Sequence, residues 1–179
     1  GVDNGVYNDE VWELTLSGEP AWNQLTVQGS PRPRAYHSAI YDPDGDRIVM
    51  FGGIDAVTGV TRETWVLALA GTPTWSLMAP SGPLPNARLQ HGAVYHPSQH
   101  RMVVFGGRDA LGGDSFDDVR QLTLGTPPTW SFLFPSGSAS PPRHAFSMVY
   151  DPVRERAMVF AGTVQEDVEL KFNEVLGLT

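Results

Sequence analysis

Three arginines, Arg34, Arg88 and Arg143, recur at intervals of 54 and then 55 residues. A guanidinium fixed at one place in successive units of a chain can do one of two things. Facing solvent, its fork of donors grips a partner's carboxylate through two hydrogen bonds. Turned inward, it pairs with an acid of its own unit, and repetition of the same residue favours this structural role, with Glu63 or Asp118 as the acid. Residues that change from unit to unit are better candidates for recognition, because the fold needs only those that recur. They lie in three stretches. Residues 54–62 are mostly small and weakly charged, 108–117 carry Arg108, Asp109, Asp114, Phe116 and Asp117, and 163–172 carry Glu166, Asp167, Glu169 and Lys171. The candidate binding face is Arg34, Arg88, Arg143, Arg108, Asp109, Phe116 and Asp117, an acidic and aromatic surface, with plainly solvated loops as the alternative.

Other constellations carry less. His91, His96 and His100 crowd one unit, but their places in the repeat give them no reason to converge, so no bound metal is expected. The run Asp42-Pro43-Asp44-Gly45-Asp46 has the acids of a calcium loop without its length or its closing bidentate Glu. Asp109 and Asp117 could share acid–base work, yet nothing in the sequence fixes their separation or perturbs them. Nucleophile elbows, P-loops and dinucleotide fingerprints do not occur. No catalytic residue and no cofactor is assigned, and an enzyme is the less favoured reading.

The elements that must position these residues follow from composition and period. The chain has 179 residues, 41% of them hydrophobic, enough for a core. Its 19 glycines and 15 prolines fall at regular intervals between apolar runs, the mark of many short strands and tight turns. Net charge is −8, Lys171 is the only lysine and no basic cluster occurs, so neither nucleic acid nor a membrane surface is an expected partner. Cysteine is absent, which excludes disulfides and thiolate chemistry and leaves the compartment open, with a lean toward a bacterial extracellular or periplasmic setting. The longest apolar runs are strand-sized, too short to cross a bilayer. The first residue is not Met, which suggests a processed product, an excised fragment or a designed chain.

Three segments align without a gap: PRAYHSAIYDPDGDRIVMFGG from Pro33, ARLQHGAVYHPSQHRMVVFGG from Ala87 and PRHAFSMVYDPVRERAMVFAG from Pro142. A ladder of Trp22, Trp75 and Trp130 keeps the same period, as do EVWELTL from Glu10, ETWVLAL from Glu63, DVRQLTL from Asp118 and EVLGLT from Glu174. Each unit therefore reads as four strands, placed at 35–41, 47–51, 63–69 and 75–78 in the first full one. Between the first two, Pro43 presets one corner and Gly45 is expected to supply the positive φ. The pairs Gly52-Gly53 and Gly106-Gly107 let backbone pass close to a neighbouring unit, and Ala161 in the third repeat predicts an altered strand end there.

The Arg, the Tyr, the Phe-Gly-Gly, the acid-headed third strand and the later Trp resemble the kelch-repeat β-propeller family over essentially the whole chain. The resemblance implies an all-β fold of four-stranded antiparallel blades set radially, first strands lining a channel and fourth strands at the rim. Each Trp would wedge between blades and bury roughly 150–250 Å². Kelch-like oxidases need a cysteine crosslinked to tyrosine, which this chain lacks. The 13 strands make about three blades in one region, 1–179, phased as 1–32, 33–86, 87–141 and 142–179. Propellers close with typically about 4–8 blades, so the expectation is a partial propeller belonging to a longer parent, or half of a homodimeric six-bladed ring in which the last third strand is redundant or exchanged. The implied function is a protein- or peptide-binding scaffold. The alternatives are a carbohydrate-binding or carbohydrate-active propeller using the acidic loops, and a propeller fragment without a natural ligand.

Overall fold

The computed structural model describes residues 1–165, 168–171 and 175–178. Glu166, Asp167 and Glu174, named above, lie outside the described residues. Thirteen main strands carry the fold. They are β1 (Trp12–Thr15), β2 (Ala21–Gln24), β3 (Ser38–Asp42), β4 (Arg47–Phe51), β5 (Thr64–Ala68), β6 (Thr74–Met78), β7 (Gly92–His96), β8 (Arg101–Phe105), β9 (Val119–Thr123), β10 (Thr129–Leu133), β11 (Ser147–Asp151), β12 (Arg156–Phe160) and β13 (Val175–Leu178). Among the described residues the only helical element is the 3-10 turn Pro97–Gln99.

These strands form four antiparallel sheets: β1-β2, β3-β4-β5-β6, β7-β8-β9-β10 and β11-β12-β13. The two full sheets share one register. Ser38 faces Phe51, which faces Thr64, which faces Met78. One period later Gly92 faces Phe105, then Val119, then Leu133. Strand β3 lies against β7 and β7 against β11, so the first strands of successive sheets gather side by side around a common axis. The β1-β2 sheet belongs to the same succession. Gly53 N and Gly107 N donate to Arg88 O and Arg143 O at 2.9 Å, and the Gly1 amine donates in the same way to Arg34 O at 2.8 Å.

The core lies between sheets. Ile40, Val49, Phe51 and Val66 of one sheet meet Met102, Val104, Leu122 and Trp130 of the next. The Phe51 and Trp130 rings sit 4.8 Å apart, and Trp130 is wholly buried. The other two indoles correct the expectation of a wedge at every Trp. Trp75 is half-buried and Trp22 is 65% exposed. An indole needs the Phe-bearing second strand of the preceding sheet to cover it, and the β1-β2 sheet supplies only two outer strands.

The turn between first and second strands also departs from expectation. Asp46, at φ 43°, takes the left-handed place, and so do His100 at 44° and Glu155 at 49° in the other repeats. Gly45 matters for space instead, since a Cβ there would stand 2.6 Å from Arg47 Nε. Asp42, fully buried, organises the turn by accepting from Asp44 N, Gly45 N and Arg47 Nε.

At the paired glycines the close approach is real. A Cβ on Gly52 would lie 2.6 Å from Arg88 O, and one on Gly106 would lie 2.5 Å from Arg143 O. Ala161, at the third such position, keeps the same left-handed turn with φ 63°, against 69° and 63° for the two glycines, so the strand end is unaltered. The two requirements can be separated by substitution. Gly71, left-handed with open space around it, should lose about 1 kcal/mol on replacement by Ala. Gly106→Ala should lose about 3 kcal/mol, because backbone of the next sheet must also shift. Urea titration of the two variants decides the point, and equal losses would show that the carbonyl yields freely.

Candidate functional site

The arginine ladder is built from sequence-local necessity. Arg34, Arg88 and Arg143 enter just ahead of their first strands and are at most 2% exposed. Each donates to the carbonyl that follows its second strand: Gly52 O at 3.3 Å, Gly106 O at 3.0 Å and Ala161 O at 3.1 Å. Arg34 Nη2 meets Glu63 Oε2 at 2.7 Å, and Arg88 holds Asp118 through two bonds of 2.7 and 3.0 Å. Burial pushes the Glu63 carboxyl up, but hydrogen bonds from Trp65 and Arg34 and the arginine charge hold it below its ordinary value. Arg34 and Arg88 therefore fasten the third strand to the second within a sheet, and all three guanidinium groups are buried.

The loops after the second strands are tied to the following sheet. Arg88 N donates to Thr61 O at 3.2 Å, and Arg143 N donates to Phe116 O at 3.1 Å. Within the first loop, Ile54–Asp55 pairs with Gly59–Val60 and with Arg34–Ala35. Asp55, 3% exposed, accepts from the Val57 and Thr58 amides and so fixes the turn. In the second loop Arg108 is 3% exposed and bridges to Leu89 and Ser115. Phe116 is half-buried, with the Arg88 guanidinium 4.4 Å from its ring centre.

Of the seven nominated residues, Asp109 and Asp117 are exposed, Phe116 is half-buried, and Arg34, Arg88, Arg143 and Arg108 are buried. The accessible side chains of this face also include Tyr36, Arg62, Leu111 and Asp114, of which Tyr36 and Leu111 are 41% and 55% exposed. Sequence reasoning passed over Tyr36. Its place is held by Gln90 and Ala145 in the next repeats, and all three are left-handed, at φ 59°, 56° and 54°. Gln90 N donates to Tyr36 O, and Ala145 N donates to Gln90 O, both at 2.9 Å, a lateral chain from sheet to sheet. Variation at a recurring position was the signal that could have found it.

At the opposite end of the strands, Asp42, Asp44 and His100 bring ligand-type atoms within 4.8 Å of one another. His100 Nε2 is 3.1 Å from Asp42 Oδ1 and 3.8 Å from Asp44 Oδ2. The other oxygen of Asp42 is taken by Arg47 at 2.7 Å, so the group acts as a clasp between two adjacent sheets. His91 and His96 stand apart from it. His91 contacts Ser38 at 2.7 Å and Phe51, and His96 packs on Tyr150.

A family model described as the KLHDC2/KLHL20/DRC7 Kelch-repeats domain matches residues 1–178. Dynein regulatory complex subunit 7 of Chlamydomonas reinhardtii is 33% identical over 111 residues, covering 62% of this chain and 9% of that protein. Acyl-CoA-binding domain-containing protein 4 of Arabidopsis thaliana is 31% identical over 122 residues, covering 68% and 17%. The chain thus spans less than a fifth of the length of either relative. Among solved structures, "Structure of YjhT" superposes with a TM-score of 0.61 at 15% identity, over 88% of this chain and 49% of that one. A chain of "Cryo-EM structure of RAG in complex with one melted RSS and one unmelted RSS" gives 0.67 at 12%, over 93% and 54%. At those identities the likeness speaks for the fold alone.

Proposed function

The chain belongs to the kelch-repeat domain family, and from that premise we propose that it is a protein-interaction module whose partner docks on the loops after the second strands. Its four sheets are kelch-type propeller blades, and the blade phases 1–32, 33–86, 87–141 and 142–179 are part of this proposal. One observation carries the reading. On that face the recurring arginines are buried, while the exposed side chains include six that differ between repeats: Tyr36, Arg62, Asp109, Leu111, Asp114 and Asp117. A scaffold that hides its invariant charges and displays its variable ones leaves recognition to the latter. Three of the six are carboxylates, so the partner this surface suits is a peptide with Lys or Arg beside an apolar residue.

Selection of a displayed peptide library on the full chain tests this. Enriched sequences should be basic, and the double variant Asp109→Lys, Asp117→Lys should weaken them at least tenfold while leaving thermal stability unchanged. Enrichment of acidic sequences, or affinity indifferent to both substitutions, would remove the loop face from consideration. Binding of soluble oligosaccharides alone would replace this reading with glycan recognition.

A further inference from the structure

One four-stranded blade carries an aromatic stack that its neighbours lack. Arg120 on β9 stands opposite Phe132 on β10, its guanidinium carbon 3.7 Å from the centre of that ring. The Phe134 ring lies beside Phe132, 5.6 Å away and 13° from parallel. Arg120 is 4% exposed and donates to Pro83 O at 2.9 Å, whereas Phe132 is 46% and Phe134 83% exposed. The cation is thus locked in place and the two rings are displayed. Earlier repeats have Trp12 and Trp65 where Arg120 stands, and Thr26 and Ala79 where Phe134 stands, so the fold does not require the stack. Nor does the exposure come from a missing neighbour. Phe132 shares its face of β10 with Trp130, the face turned toward the complete preceding blade, and its counterpart in that blade, Leu77, is 57% exposed.

We propose that Phe134 is the seat of an arginine side chain of the partner protein, the guanidinium plane lying on the ring and its edge donating to Asp117. The row Val119–Leu133 lies at the loop-face end of β9 and β10, and the register carried one row further sets Phe134 level with Asp118, with the exposed Asp117 just beyond. Ring and free carboxylate therefore stand together at the edge of the loop face. The chain already uses this contact twice within itself. Phe116 carries the Arg88 guanidinium at 4.4 Å and Phe132 carries that of Arg120, while among the described residues no cation covers Phe134. Charge favours a cationic occupant, since the chain carries −8. Arginine suits the seat better than lysine: its plane is weakly hydrated and stacks on a ring while its fork still reaches a carboxylate, whereas an ammonium is a compact and strongly hydrated charge. An apolar side chain would cover the ring and leave Asp117 to water. This inference rests on the loop-face reading for the kind of partner and adds a choice of arginine over lysine.

The probe is N-acetylargininamide, titrated against the full chain while NMR follows the rings of Phe132 and Phe134 and the Asp117 amide. The Phe134 ring should move most, and N-acetyllysinamide should need about threefold more to produce the same change. Phe134→Leu keeps apolar area without a π face and should abolish the arginine preference read at the Asp117 amide, whereas Phe134→Trp should strengthen it. Thermal unfolding of both variants should match the parent, because the ring is exposed. A Phe134 ring that does not move, an equal response to the two amides, or a Phe134→Leu chain that still prefers arginine overturns the proposal. The peptide selection reads the loop face separately. Peptides weakened by the Asp109→Lys, Asp117→Lys pair but not by Phe134→Leu would remove the arginine seat and leave the loop face standing. Failure of that selection with the Phe134 ring still moved by arginine would do the reverse.

Discussion

Replacing His91 by Phe is expected to remove about half of the acid sensitivity of this fold between pH 6.5 and about pH 4.5. His91 is 7% exposed, and burial, with the neighbouring Arg88 and His37 charges behind it, lowers its pKa from 6.5 to about 3. The unfolded chain therefore binds a proton that the folded chain refuses. Stability is fully present above pH 6.5 and is lost as pH falls toward about 3, at about 1.4 kcal/mol per pH unit. His37, lowered to about 4 by burial with the N-terminal and Arg34 charges behind it, and His96, also lowered by burial, add in the same direction. The carboxylates held below their ordinary values, Asp42 and Glu63 among them, lose their contribution only at lower pH, so the window isolates the histidines. Phe146 occupies the same place in the third repeat and packs 5.4 Å from Phe105 as His91 packs 5.2 Å from Phe51, so a phenyl ring fits. Ser38 loses its partner, a pH-independent cost of about 1 kcal/mol. Urea unfolding at four pH values decides, and parallel curves for parent and variant would defeat the argument.

Arg88→Met is expected to be the most damaging side-chain truncation on the loop face, with a loss of about 3 kcal/mol. The guanidinium is fully buried, and its removal strips Asp118 of a two-bond partner and leaves Gly106 O without a donor. The figure sits at the lower end for a broken buried pair because the Asp118 side chain is 29% exposed and keeps Arg120 at 3.6 Å. Asp118→Asn should lose less, since an amide oxygen still accepts from Arg88. Chemical denaturation of both variants measures this. A loss under about 1 kcal/mol for Arg88→Met would mean that the pair contributes no more than an exposed one.

Much of this was legible in the residues. The 54- and 55-residue spacing of the arginines located the strand ends to within three positions, the largest miss being the first strand, expected from 35 and found from Ser38, because register and period are both written in alternating apolar residues. The inward role of Arg34 and Arg88 followed from their recurrence, and both acids named for it are the ones they meet. What escaped depends on three-dimensional neighbours. Trp22 and Trp130 hold the same place in the repeat, yet one is exposed and the other sealed, because only Trp130 has a preceding Phe to lean on. Asp46 rather than Gly45 turns left-handed, since the position is set by the hairpin and is held by His100 and Glu155 elsewhere. Arg108 looked like a surface charge in a variable loop, and the loop folds over it.

The ties from each loop to the arginine segment that follows have a bearing on how the chain comes into being. Thr61 O waits for Arg88 N, and Phe116 O for Arg143 N, each about half a repeat downstream. During synthesis a blade therefore emerges with its recognition loop unfinished, and the loop sets only when the opening residues of its successor leave the ribosome. The competence of each loop is thus conferred by the blade that comes after it.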